Sequence, residues 1–166
     1  MGPPATETPV RWLFENRKQH NATPQSAIQG THVAVALTKA AIDLGIVVKN
    51  GPAALAFYKD LLGFKHEGDM PMPGGGTMHR LLCGDSLIKI VVPEKAPPAV
   101  APPGGIAGAT GYRYWTISVS NISELVAACA KAGHKVVVPE REIRPGIRIA
   151  IVEDPDGNWV EFLQTA

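Results

Sequence analysis

Glu161 stands in the middle of an apolar run, Trp159-Val160-Glu161-Phe162-Leu163. In an extended strand alternate residues share a face, so Trp159, Glu161 and Leu163 lie on one side and Val160 and Phe162 on the other. A carboxylate is costly to bury without a partner, so one in such a strand asks for a chemical reason. Beside a water-excluding indole its proton affinity rises, which suits a general base. A second group of charges sits upstream. Gly84-Asp85, between Thr77–Cys83 and Ser86–Val92, is a two-residue hairpin signal. That turn sets Arg80 opposite Lys89 on one face and turns His79 to the other. A base on one strand and cationic donors on another suit proton abstraction next to a carbonyl, where negative charge develops on oxygen.

Other chemistries lack their residues. There is no Ser-His-Asp arrangement, Walker loop or dinucleotide-binding glycine pattern. Gly74-Gly75-Gly76 has no Lys-Ser/Thr after it and reads as a mobile loop over a cleft mouth. His66 and His134 follow Gly63 and Gly133 at the ends of predicted helices. An imidazolium suits the helix dipole there, so a structural or solvent role is expected rather than catalysis.

The elements that position these residues occur twice. Asp43 to Asn50 is a strand, Pro52 to Leu62 a helix with Leu55, Tyr58, Leu61 and Leu62 as its buried stripe, and Gly63 its left-handed cap. Tyr114 to Asn121 is again a strand. A helix from Ser123 to Ala132 follows, with Asn121 or Ser123 capping it, Leu125, Val126, Cys129 and Ala132 facing inward, and Gly133 ending it. Three further strands are expected at Lys135 to Val138, Arg148 to Glu153 and Asn158 to Gln164, the last two joined by the Asp154-Pro155-Asp156-Gly157 turn. Val48 to Gly63 spans 15 residues and Val119 to Gly133 spans 14. A βαβββ unit occurring twice is an internal repeat. Residues 93–111, with Pro97-Pro98 and Pro102-Pro103-Gly104-Gly105, read as the linker between the two.

The bulk properties narrow the class. A length of 166 residues suits one domain, and 45% apolar with 19% charged residues is a globular composition. A net charge of +1 gives no reason to expect nucleic acid or an anionic membrane as partner. Cys83 and Cys129 read as reduced thiols rather than a disulfide framework. No apolar run reaches a membrane span and no signal-peptide pattern opens the chain, so a cytoplasmic location is expected.

The closing hairpin, Ile151 to Leu163, with the strand–helix–Gly order in both halves, resembles the vicinal oxygen chelate superfamily of glyoxalases, bleomycin-resistance proteins and extradiol dioxygenases. The resemblance covers roughly residues 41–165. It implies an α+β fold in which two βαβββ modules form one curved mixed sheet around a cleft, with helices outside. The expected organisation is an N-terminal extension (1–40), module one (41–92), the linker (93–111) and module two (112–166). The family's four metal-ligand positions, carried over by the resemblance, fall on Asp43, Lys89, Tyr114 and Glu161. Ammonium and phenol are poor metal donors, so no catalytic metal and no other cofactor are expected.

Two readings of this set remain. In the first, Glu161 is the base, Tyr114 and Lys89 donate to the oxyanion, Asp43 positions Lys89, and Arg80, Trp159, Ile149 and Ile151 contact a small-molecule substrate. The product is a metal-independent isomerase or lyase. In the second, Asp43–Lys89 and Arg80–Glu161 are plain internal salt bridges. A metabolite- or antibiotic-sequestering protein of the bleomycin-resistance type is the alternative function, and a metal-dependent glyoxalase-like lyase or dioxygenase the least favoured. A homodimer is expected, with helix 52–62 or neighbouring edge strands in the interface. Trp12, Leu13 and Phe14 predict a short docked helix, and residues 32–37 an additional strand or helix.

Overall fold

The computed structural model describes residues 35–166, of which 39–166 form one compact unit. The expected Trp12–Phe14 helix lies outside the described residues, as do residues 32–34. Val35 to Leu37 carry neither strand nor helix and are exposed, which corrects the expectation for that part. The chain folds as β1 (Asp43–Val47), α1 (Gly51–Leu55) running into a π-helical segment (Ala56–Leu61), β2 (Lys65–Pro71), β3 (Gly76–Cys83) and β4 (Ser86–Pro93). Then come α2 (Gly105–Gly108), β5 (Tyr114–Ser118), α3 (Ile122–Lys131), β6 (Val136–Arg144), β7 (Ile147–Glu153) and β8 (Trp159–Thr165). The strands make two four-stranded sheets of identical order, β1-β4-β3-β2 and β5-β8-β7-β6. In each, the first strand runs parallel to the fourth and the rest are antiparallel. This is the α+β, twice-repeated architecture expected from the sequence. Among the described residues no helix is long and apolar enough to cross a membrane.

One face of each sheet builds the shared core. Ile46, Val48, Ile88 and Ile90 from the first and Ala150, Val152, Val160 and Phe162 from the second are buried together with Phe57 and Tyr58. Phe57 meets the His134 ring edge-on at 4.6 Å, and Tyr58 lies 6.3 Å from Trp115. Trp115 is thus packed in the core, as its alternation from Tyr114 predicts. Cys83 and Cys129 are free thiols, and burial pushes Cys129 up to about 11.

Several local expectations change. The helical stripe is Ala54, Phe57 and Tyr58, with Leu55, Leu61 and Leu62 only half-buried. The segment opens into a π-helix, where Leu62 N–H donates to the Phe57 carbonyl. The first amide of α3 is capped from β8, with Ile122 N–H donating to Gln164 Oε1 at 2.9 Å, rather than by Asn121 or Ser123. Ala132 is exposed. Gly74-Gly75-Gly76 is the tight β2–β3 hairpin connection, closed by Met72 N–H to the Gly76 carbonyl, and not a lid. Two edge strands exceed the sequence expectation. β2 is an additional strand that carries His66, and β6 continues to Arg144 through Pro139 and a charged stretch. Both are outermost in their sheets, the place where charge, Pro and bulges are tolerated.

Candidate functional site

β8 enters from the Asp154–Gly157 turn and places Glu161 opposite Thr116 of β5 and Ile151 of β7. Glu161 is 7% exposed. Its Oε2 accepts a hydrogen bond from Thr116 Oγ1 at 2.5 Å. Burial raises the Glu161 carboxyl above its ordinary range, and the Thr116 bond only partly opposes this. Two residues earlier on the same face of β5, Tyr114 is 37% exposed. Burial and the neighbouring Glu161 charge raise its phenol, so it is a proton donor at neutral pH. Thr116 was not foreseen from the sequence. The available signal was a hydroxyl inside β5, two positions from Tyr114 and therefore on its face.

The face is roofed at Trp159. The α2 backbone turns at Gly105 (φ +53°), where a Cβ would come within 2.0 Å of the Trp159 ring, so only glycine allows this approach. Arg113 ties the linker down, donating from Nε to the Gly105 carbonyl at 2.7 Å and from Nη2 to the Pro102 carbonyl. The indole N–H of Trp159 donates to Glu153 Oε1 at 3.2 Å. The linker is therefore a strap fastened over one wall of the site, a role its Pro- and Gly-rich composition does not by itself disclose. Ile149 and Ile151 are on the Glu161 face by register but only 1% exposed each, so they form its floor.

The remaining expected site residues form separate pairs. Asp43 on β1 lies 3.3 Å from Lys89 Nζ and also pairs with Lys39. Lys39, then Lys89, hold its carboxyl below the ordinary range. Arg80 faces Lys89 in register, as the Gly84-Asp85 turn predicts. It binds Glu67 of β2 at 2.9 Å rather than Glu161, which corrects the expected Arg80–Glu161 bridge. Among the described residues no ion pair joins Glu161 to a cation. A cavity of about 540 Å³ runs along β1 and β5 past Gly45, Val47, Tyr114, Thr116 and Trp159. A second, of about 390 Å³, lies under the strap between Pro102, Gly105, Tyr112, Arg113 and Trp159.

Residues 31–162 match the family model described as Glyoxalase/Bleomycin resistance protein/Dioxygenase superfamily, a match that begins 12 residues before β1. Proteins of Mycobacterium bovis and Mycobacterium tuberculosis bearing the name "Putative glyoxylase CFP32" are 29% identical over 114 residues, which is 68% of this chain. The match spans 40% of the length of these curated relatives. A glyoxalase family protein of Bacillus cereus superposes with a TM-score of 0.66 at 17% identity, over 84% of this chain and 99% of that one. Glyoxalase I of Leishmania major gives 0.57 at 23% identity, over 74% and 84%. These two structures share the fold.

Proposed function

Because the chain belongs to the glyoxalase/bleomycin resistance protein/dioxygenase superfamily, we propose that it turns this fold to acid–base chemistry without a metal. It acts as an isomerase or lyase that removes a proton next to a carbonyl of a small metabolite. The observation that carries this reading is Glu161: buried, raised in proton affinity, and bonded by Thr116 at Oε2, which leaves Oε1 to accept a proton. Tyr114 supplies a phenolic O–H to the oxygen that gains charge. The Trp159 wall and its Gly105 roof keep water off that face. Lys89, positioned by Asp43, offers a cation to an anionic part of the substrate.

The residues do not suit the divalent metal for which such folds are known. Lys89 carries no lone pair when protonated, Tyr114 is held protonated, and Asp43 is already occupied by two ammonium groups. Glu161 alone is a poor site for zinc, nickel or iron.

The test is deuterium exchange at the carbon next to the carbonyl, followed by NMR in D2O over a panel of small keto acids, thioesters and hemithioacetals. Wild type should exchange at least one of them. Tyr114→Phe should slow that exchange by ~10²–10³, the usual worth of an oxyanion donor. If Asp43→Asn is dead and Glu161→Gln retains wild-type exchange, the base is Asp43. Should no panel member exchange while one binds equally well to wild type and Glu161→Gln, the sequestering reading takes over. That second reading is favoured by the strap cavity, where fully exposed Tyr112 and half-buried Trp159 offer aromatic faces.

The proposal includes a homodimer working in the cytoplasm. Helix 51–55 and its π-helical continuation already bury Ala54, Phe57 and Tyr58 within the chain, so the interface falls to strand edges instead. β1 and β5 each end a sheet, and Val47 and Tyr114 on them are 55% and 37% exposed. Sedimentation at micromolar concentration should give twice the chain mass, and a monomer there would remove this part of the proposal.

A further inference from the structure

We propose that His66, Asp69 and His79 form a binding site for a divalent metal ion of the zinc class at the edge of the first sheet, separate from the Glu161 site. Asp69 of β2 and His79 of β3 are direct cross-strand partners. His66 lies three residues before Asp69, so in a regular strand the two would point to opposite faces. The pairing register shifts between His66 and Gly68, leaving Glu67 as the extra residue of a β-bulge. Gly68, at φ +149°, takes a conformation that other residues rarely adopt. The bulge sends Glu67 to the Arg80 side, where they pair at 2.9 Å, and returns His66 to the face of Asp69 and His79.

The result is three donors converging on one point. His66 Nε2 and His79 Nδ1 each lie 2.7 Å from Asp69 Oδ1, and the three atoms are within 4.8 Å of one another. Around a tetrahedral ion with bonds of ~2.0–2.1 Å, ligand atoms stand roughly 3.3–3.4 Å apart. The two His–Asp distances must therefore open by roughly 0.6–0.7 Å to admit one. Asp69 and His66 are exposed enough to make that adjustment, with side chains 49% and 37% accessible, while His79 at 15% is held by packing. Two imidazole nitrogens and one carboxylate favour Zn²⁺, Co²⁺, Ni²⁺ or Cu²⁺ over Ca²⁺ or Mg²⁺. A fourth position faces solvent and would take water. The ion would clip the outermost strand to its neighbour and take no part in the Glu161 chemistry.

The test is calorimetric titration of the full chain with zinc chloride after chelator dialysis, with cobalt absorption as an independent reading of coordination. One ion per chain should bind, and the thermal midpoint should rise with zinc. His66→Ala and His79→Ala should each weaken binding by at least the ~10–100-fold known for loss of even an outer-shell partner, and should abolish the thermal rise. Asp69→Asn is the milder variant should an alanine variant not fold, and it should also weaken binding. Glu161→Gln and Asp43→Asn should bind zinc as wild type does. Failure of wild type to bind micromolar zinc overturns the proposal. So does binding that survives unchanged in the His66→Ala/His79→Ala double variant, because the ion then sits elsewhere.

Discussion

Glu161→Gln is expected to lower turnover by ~10²–10⁴, the range a positioned general base contributes, and to leave the chain folded. The replacement is nearly isosteric, and its amide oxygen can still accept from Thr116. The stability effect has a defined sign. The folded-state affinity of Glu161 for its proton is raised by burial. Relative to the unfolded chain, its contribution is therefore fully present below the ordinary glutamate range and is lost as pH rises through the folded value. At neutral pH the ionised group is a net cost, so Glu161→Gln should melt at or above the wild-type temperature, and the difference should shrink in acid. The acid limb of the wild-type rate profile should lie above the ordinary carboxylate range for the same reason. A variant that loses stability at neutral pH, or an acid limb in the ordinary range, would show that Glu161 is not the desolvated base described.

The largest stability loss is expected at Asp154→Ala, about 2–4 kcal/mol by urea denaturation. Asp154 is 4% exposed and its carboxylate receives four donors: the Tyr58 hydroxyl at 2.8 Å, the Asp156 amide at 2.9 Å, and the Asn158 amide and side-chain nitrogen at 2.8 and 2.9 Å. Removing the carboxylate strands these groups at ~1–3 kcal/mol for each that stays buried. The Tyr58 hydroxyl is hardest to re-solvate, because Tyr58 is fully buried. Tyr58→Phe removes one donor and leaves Asp154 with three, so it should cost roughly 1 kcal/mol. Equal losses for the two variants would mean that the turn reforms without its carboxylate.

The sequence disclosed the repeat because each unit carries punctuation that physics makes hard to mistake. Gly63 and Gly133 do adopt positive φ at their helix ends, at +75° and +86°. Glu161 was visible for a different reason: a carboxylate among Val160, Phe162 and Leu163 has no cheap place to go. The two outer strands are hidden for one cause. β2 and the far half of β6 are outer strands whose residues face water, so the apolar alternation that marks a strand is absent. Without β2, no Glu67 stands beside Arg80, and Glu161 is the acid left to pair with it. The same gap left His66 beside a helix end instead of beside Asp69. Thr116 is hidden for another reason: a parallel pairing partner cannot be fixed from one strand alone.

The two sheets repeat one strand order, and their registers align Gly45 opposite Lys89 with Thr116 opposite Glu161. A side chain added at Gly45 would meet nothing within 4 Å. A repeated unit holds every position twice, and here one copy carries a carboxylate with its hydroxyl partner while the other carries a glycine beside a lysine. Gly45→Thr with Lys89→Glu would write the same pair into the first copy. The repeated architecture thus leaves the first sheet two substitutions away from the carboxylate–hydroxyl pair of the second.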